Sequence, residues 1–150
     1  MMKYFAKKVK YLGHTFDSKT ETERYAELLN LQKQRFIEQL QMQKEFELLP
    51  KQIVKVVQHL KTKDKIVERV DERAVLYHAD FFYYDRRTMQ WVIEEVKSPM
   101  TAKVRDYPLR RKLVKLMVKR MNAEQGRELY AFVETVVGRK NVKKRKKATK

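Results

Sequence analysis

The most constraining feature of the chain is a pair of β-forming runs separated by a polar turn. Ala74–Tyr84 carries Val75, Tyr77, Phe81, Phe82, Tyr83 and Tyr84; Asp85-Arg86-Arg87-Thr88 follows, and then a second apolar run, Met89–Lys97. Aromatic and β-branched residues suit a pleated, half-buried surface, so the two runs predict an antiparallel hairpin. Asp80 interrupts the first run, although Asp is a poor strand former and is costly to bury. The second run holds Glu95-Val96-Lys97. Residues two apart on a strand share a face, so Glu95 and Lys97 project together while Val96 turns into the core and Glu94 faces away from Glu95.

Such a hairpin can bring Asp80 next to Glu95. Two carboxylates a few ångströms apart repel each other, which favours a shared divalent cation. Hard oxygen ligands suit Mg²⁺, with Mn²⁺ as a substitute, and Mg²⁺ keeps several waters while binding phosphate oxygens. A lysine beside that ion can orient or deprotonate an attacking water, or offset charge on the phosphate. An E-x-K on a strand is by itself commonly an exposed ion pair. Its combination with Asp80 on one hairpin is what marks a candidate site.

Around this hairpin the chain reads as α/β. Residues 1–15 form a basic lead-in ending at Gly13, and Ser18 with Glu21 makes a capping box for a helix over about 19–34, striped by Tyr25, Leu28, Leu29 and Gln32. Leu40, Met42, Phe46 and Leu48 alternate as a strand ending at Pro50; Ile53–Val57 and Ile66–Val70 read as two more around a charged turn, Lys61–Asp64. A basic helix is expected from about Pro108 to Asn122, with Leu109, Leu113, Leu116, Met117 and Arg120 at helical spacing, then Gly126 and a last strand over Leu129–Val137. His78 shares the face of Asp80 by strand parity. One domain over 1–138 and a flexible basic tail over 139–150 are expected.

Charge points to the partner. Lys and Arg number 36 against 19 Asp and Glu, for a net +17; eight of these cations lie in 139–150, and taking them away leaves +9. A polyanion partner follows with or without the tail. Arg110, Arg111, Lys112 and Lys115 on the helix, and Lys143, Lys144, Arg145, Lys146 and Lys147 in the tail, are the candidate DNA-binding residues. The absence of cysteine excludes disulfides, thiol nucleophiles and Cys-type zinc sites. Neither glycine-rich nucleotide-binding pattern can be written from this sequence, which argues against ATP or NAD chemistry. No apolar run approaches a membrane span and no signal-peptide core follows Met1-Met2-Lys3, so a soluble cytoplasmic protein is expected.

Asp80…Glu95-x-Lys97 resembles the signature of the PD-(D/E)XK nuclease superfamily. More narrowly, Phe16-Asp17-Ser18-Lys19-Thr20-Glu21…Arg24-Tyr25, Leu48-Leu49-Pro50, Ala79-Asp80-Phe81-Phe82-Tyr83-Tyr84-Asp85 and Glu95-Val96-Lys97 are similar to motifs of a phage-borne group of small endonucleases and Holliday-junction-resolvase-like proteins. The resemblance covers roughly residues 10 to 118. It implies a restriction-endonuclease-like mixed sheet flanked by helices and Mg²⁺-dependent hydrolysis of DNA, branched DNA above all. Asp80 and Glu95 would be the metal ligands, Lys97 the catalytic lysine and Glu21 an additional catalytic acid, with Arg24 and Tyr25 bracing the first helix. Resolvases cut symmetrically, which implies a homodimer; a phage origin would place it in the host cytoplasm. Ala79 replaces the proline of the signature, Ser98-Pro99 its usual glycine, and the charged 61–72 region is longer than usual. The alternatives are a nicking or single-strand-acting nuclease, and a non-catalytic nucleic-acid-binding protein.

Overall fold

A computed structural model describes residues 8–16, 18–97 and 106–136. Asp17, Ser98-Pro99 and the basic tail over 139–150 lie outside the described residues. The elements run β1 (Val9–Tyr11), β2 (His14–Phe16), α1 (Lys19–Lys33), β3 (Ile37–Leu49), β4 (Gln52–His59), β5 (Asp64–Glu72), β6 (Val75–Asp85), β7 (Gln90–Lys97), α2 (Tyr107–Gln125) and β8 (Tyr130–Val136). A four-stranded sheet has the order β3-β6-β7-β8. Its first three strands are antiparallel, and β8 lies parallel to β7. Parallel neighbours need a crossover, and α2 supplies it. This is the expected α/β architecture, consistent with a restriction-endonuclease-like fold.

The two helices cover opposite faces of the sheet. Tyr25 and Leu28 of α1 pack with Phe16, Ile37, Phe81, Tyr83, Val92 and Val96. Val114 and Val118 of α2 pack with Leu48, Tyr77, Ala79, Phe82 and Ile93. The alternation of Val92 with Ile93 across β7 sends one side chain into each core, as the pleat requires. Ser18 caps α1 as expected, accepting the Glu21 N–H at 3.2 Å. Gly126, at φ 68°, ends α2 in the left-handed region. Asn122 then ties α2 to β8 by two hydrogen bonds with the backbone of Tyr130, at 2.9 and 2.8 Å.

Three expectations need correction. The lead-in contains the β1–β2 hairpin, whose turn residues Leu12 and Gly13 both have positive φ, 46° and 79°. That is the backbone of a primed hairpin turn, and a Leu in it hides the usual Asn-Gly signal. On α2 the buried positions are Tyr107, Val114 and Val118, whereas Leu109 and Leu116 are exposed. The helix has apolar residues on more than one side, so periodicity alone could not choose the buried one. Strand parity also fails on β6: Ala79 and Phe81 are two apart yet enter opposite cores. His78 therefore gains no fixed place on the face of Asp80, and it instead stands 4.0 Å from Glu45.

Candidate active site

The inversion on β6 falls at Asp80, and β3 inverts with it. Met42 packs into the α1-side core and Phe46 into the α2-side core, with Gln43 between them at φ 53°. A non-glycine residue in the left-handed region is uncommon, and such strain gathers at functional sites. The β6–β7 ladder stops at the Phe81–Glu94 pair. Beyond it β6 continues with β3, and β7 with β8. Asp80 sits where the strands part. Its Oδ2 accepts the Val96 N–H at 2.8 Å, and its Oδ1 takes the Gln43 amide at 3.4 Å. A carboxylate has about four acceptor sites, so Asp80 can still take a further ligand.

Glu95 and Lys97 share a face and Glu94 takes the other, as expected; the shared face is the α2 side. Glu95 accepts the Tyr77 hydroxyl at 2.6 Å. Glu94 is fully buried and holds Arg24 and Tyr83. Lys97 is 2% exposed; its ammonium lies against the Tyr107 ring and has no hydrogen-bond partner among the described residues. Glu21, Asp80, Gln43 and His14 line one cavity of about 250 Å³. Leu76, Tyr77, His78, Glu95 and Arg110 line a second, of about 180 Å³.

The electrostatics tie these groups together. Burial, then the charges of Glu95 and Glu21, push the Asp80 carboxyl up to about 8, against the pull of its hydrogen bonds from Val96 and Gln43. Burial also raises Glu95, although the Tyr77 hydroxyl, Lys97 and Arg110 oppose it. Lys97 is shifted down, chiefly by burial, with Glu134 and Glu95 resisting and Arg111 and Arg110 assisting. Burial and the Glu95 charge keep the Tyr77 hydroxyl protonated.

Of the expected catalytic residues, Asp80 feels the charges of both Glu95 and Glu21, and Lys97 feels that of Glu95; Glu21 and Asp80 line one cavity and Glu95 the other. Sequence reasoning missed Gln43, which no motif marks, and Tyr77, which reads as an ordinary strand aromatic. It also missed Glu134, the register partner of Glu95 on β8. Of the basic helix residues, Arg110 stands in the cavity of Glu95, while Arg111 is 3.9 Å from Glu134. Lys112 and Lys115 are exposed. Lys143, Lys144, Arg145, Lys146 and Lys147 lie outside the described residues.

Among the described residues, no group of three or more His, Cys, Asp or Glu side chains is placed to hold a metal ion. The donor set still suits Mg²⁺, which is commonly held by one or two carboxylates and completes its sphere with water and phosphate oxygens. No described helix is long and apolar enough to cross a membrane. No curated protein and no solved structure matches the chain. A family model does match, over residues 1–127; that span holds Glu21, Gln43, Tyr77, Asp80, Glu95 and Lys97, and by it the chain belongs to DUF1064, a family described as a protein of unknown function.

Proposed function

We propose that the chain is a metal-dependent DNA endonuclease that hydrolyses phosphodiester bonds. Branched DNA such as a four-way junction is its preferred substrate class, a homodimer its acting form, and the cytoplasm its place of action. The observation that carries this reading is Asp80 set between the charges of Glu95 and Glu21, with buried Lys97 in reach of the Glu95 charge, in a chain of net charge +17. A protein that only binds a polyanion has no use for carboxylates clustered where phosphates must approach.

Asp80 and Glu95 would hold Mg²⁺, or Mn²⁺ in its place, which when bound supplies Lewis-acid polarisation of a phosphate oxygen. The remaining chemistry belongs to the chain. Burial loosens the proton on the Lys97 Nζ, so the neutral amine can take a proton from an attacking water and the protonated amine can face a phosphate oxygen. Tyr77 holds the Glu95 carboxylate in one orientation through its hydroxyl. Arg110 brings positive charge to the same cavity, suited to a phosphate flanking the cut. The rival reading, a non-catalytic nucleic-acid-binding protein, draws on the basic surface and the lack of a three-donor cluster among the described residues.

A gel assay separates them: labelled four-way junction, fork, duplex and single strand, each with Mg²⁺, Mn²⁺ or EDTA. The nuclease reading expects cleavage with either cation, strongest on the junction, and none with EDTA. Binding without cleavage under every condition would favour the rival.

A further inference from the structure

The β4–β5 ribbon stands apart from the central sheet. Among the described residues its strands pair only with each other, and neither core cluster contains a residue from it. A two-stranded ribbon alone is marginally stable in water. This one nevertheless exposes aliphatic side chains: Ile53 is 48% exposed, Val57 54%, Ile66 70% and Val70 47%. The register sets Ile53 opposite Val70, Lys55 opposite Glu68, Val57 opposite Ile66, and His59 opposite Asp64. Residues two apart share a face, so all four rows lie on one side of the ribbon. The last row is also bonded, His59 Nδ1 standing 2.8 Å from Asp64.

We infer that this face is the contact surface for a second copy of the chain. A two-fold axis running lengthwise between the strands carries β4 of one copy over β5 of the other at the same level. Each residue then meets the type that is its own cross-strand neighbour. Ile53 faces Val70, Lys55 faces Glu68, Val57 faces Ile66 and His59 faces Asp64. Aliphatic side chains meet at two levels, a lysine meets a glutamate at a third and an imidazole meets a carboxylate at the fourth, which is the self-complementarity an isologous interface needs. The same face suits DNA poorly, because its basic groups Lys55 and His59 are matched by Glu68 and Asp64. The inference rests on the homodimer proposed above for its occupant, and not on the cleavage chemistry, so pairing and cleavage can fail separately.

Sedimentation of the full chain without DNA tests it, with Lys55→Glu and Glu68→Lys made as separate proteins. Wild type should be a dimer. Each variant alone should associate about 100-fold more weakly or worse, because like charges then face each other across the axis. An equimolar mixture of the two should recover the dimer, since the exchanged charges oppose one another at both Lys55–Glu68 contacts. Ile66→Lys, at a position exposed in the single copy, should leave the fold intact by circular dichroism and also yield monomer. A monomeric wild type, a dimeric Ile66→Lys, or a mixture that stays monomeric would overturn the inference.

Discussion

Arg24 on α1 grips both oxygens of Glu94 on β7, with Nε 2.9 Å from Oε2 and Nη2 2.8 Å from Oε1. The Tyr83 hydroxyl adds a third bond, at 2.9 Å to Oε1. A planar guanidinium matches a carboxylate in this two-bonded way, and here it locks α1 onto the sheet at the strand that carries Glu95 and Lys97. The Glu94 carboxylate is fully buried, so removal of its partner leaves a charge without water. Arg24→Ala should therefore cost about 3–5 kcal/mol in denaturant unfolding. Tyr83→Phe should cost about 1 kcal/mol. A loss below about 1 kcal/mol for Arg24→Ala would mean that the pair does not hold the helix.

Asp80 gives the apoprotein a pH dependence of unusual sign. Its folded-state carboxyl is raised to about 8, whereas an unfolded Asp titrates near 3.9. Between those values the folded chain keeps a proton that the unfolded chain has lost, so stability is fully present below about pH 4 and is lost as pH rises through about 8. The slope is at most about 1.4 kcal/mol per pH unit. Thermal melts without metal should show it, Asp80→Asn should flatten it, and Mg²⁺ should raise the wild-type Tm most at alkaline pH. Identical slopes for wild type and Asp80→Asn would remove the argument.

The hairpin bearing Asp80, Glu95 and Lys97 was legible because aromatic runs, a polar turn and period-two spacing all agreed. Ser18 and Gly126 marked helix ends for equally local reasons. What was hidden depended on distant pairing. Glu134 comes beside Glu95 only through the parallel β7–β8 register across α2, which leaves no periodic trace in the sequence. The inversion shared by Gln43 and Asp80 defeats strand parity, the rule used to place side chains on β6. Tyr77 was visible as a strand former, but its bond to Glu95 required knowing where β6 and β7 part.

Lys97 sets function against stability. Its ammonium is buried and has no hydrogen-bond partner among the described residues. Lys97→Met fills similar space without a charge, so it should leave the protein at least as stable as wild type. The same change should lower single-turnover cleavage by roughly 10²–10³-fold or more. Lys97→Arg should not rescue it, because guanidinium does not give up a proton near neutral pH. Near-normal turnover in Lys97→Met would take the lysine out of the mechanism.

The basic tail should act on affinity alone. Residues 139–150 carry eight positive charges and no acidic residue. Deleting them should weaken DNA binding and flatten its salt dependence, because fewer counterions are released, while cleavage at high protein concentration survives. An unchanged salt slope after deletion would contradict this role.

The most direct test of the central claim is single-turnover cleavage of a labelled four-way junction by wild type, Asp80→Asn and Glu95→Gln, with DNA binding measured on the same samples. Wild type should cut with Mg²⁺ and stop in EDTA. Both variants should bind the junction as tightly as wild type or more tightly, since neither change adds negative charge near the phosphates, and neither should cut. Cleavage by either variant at the wild-type rate with Mg²⁺ would contradict the assignment of Asp80 and Glu95 as the metal-holding carboxylates of a nuclease.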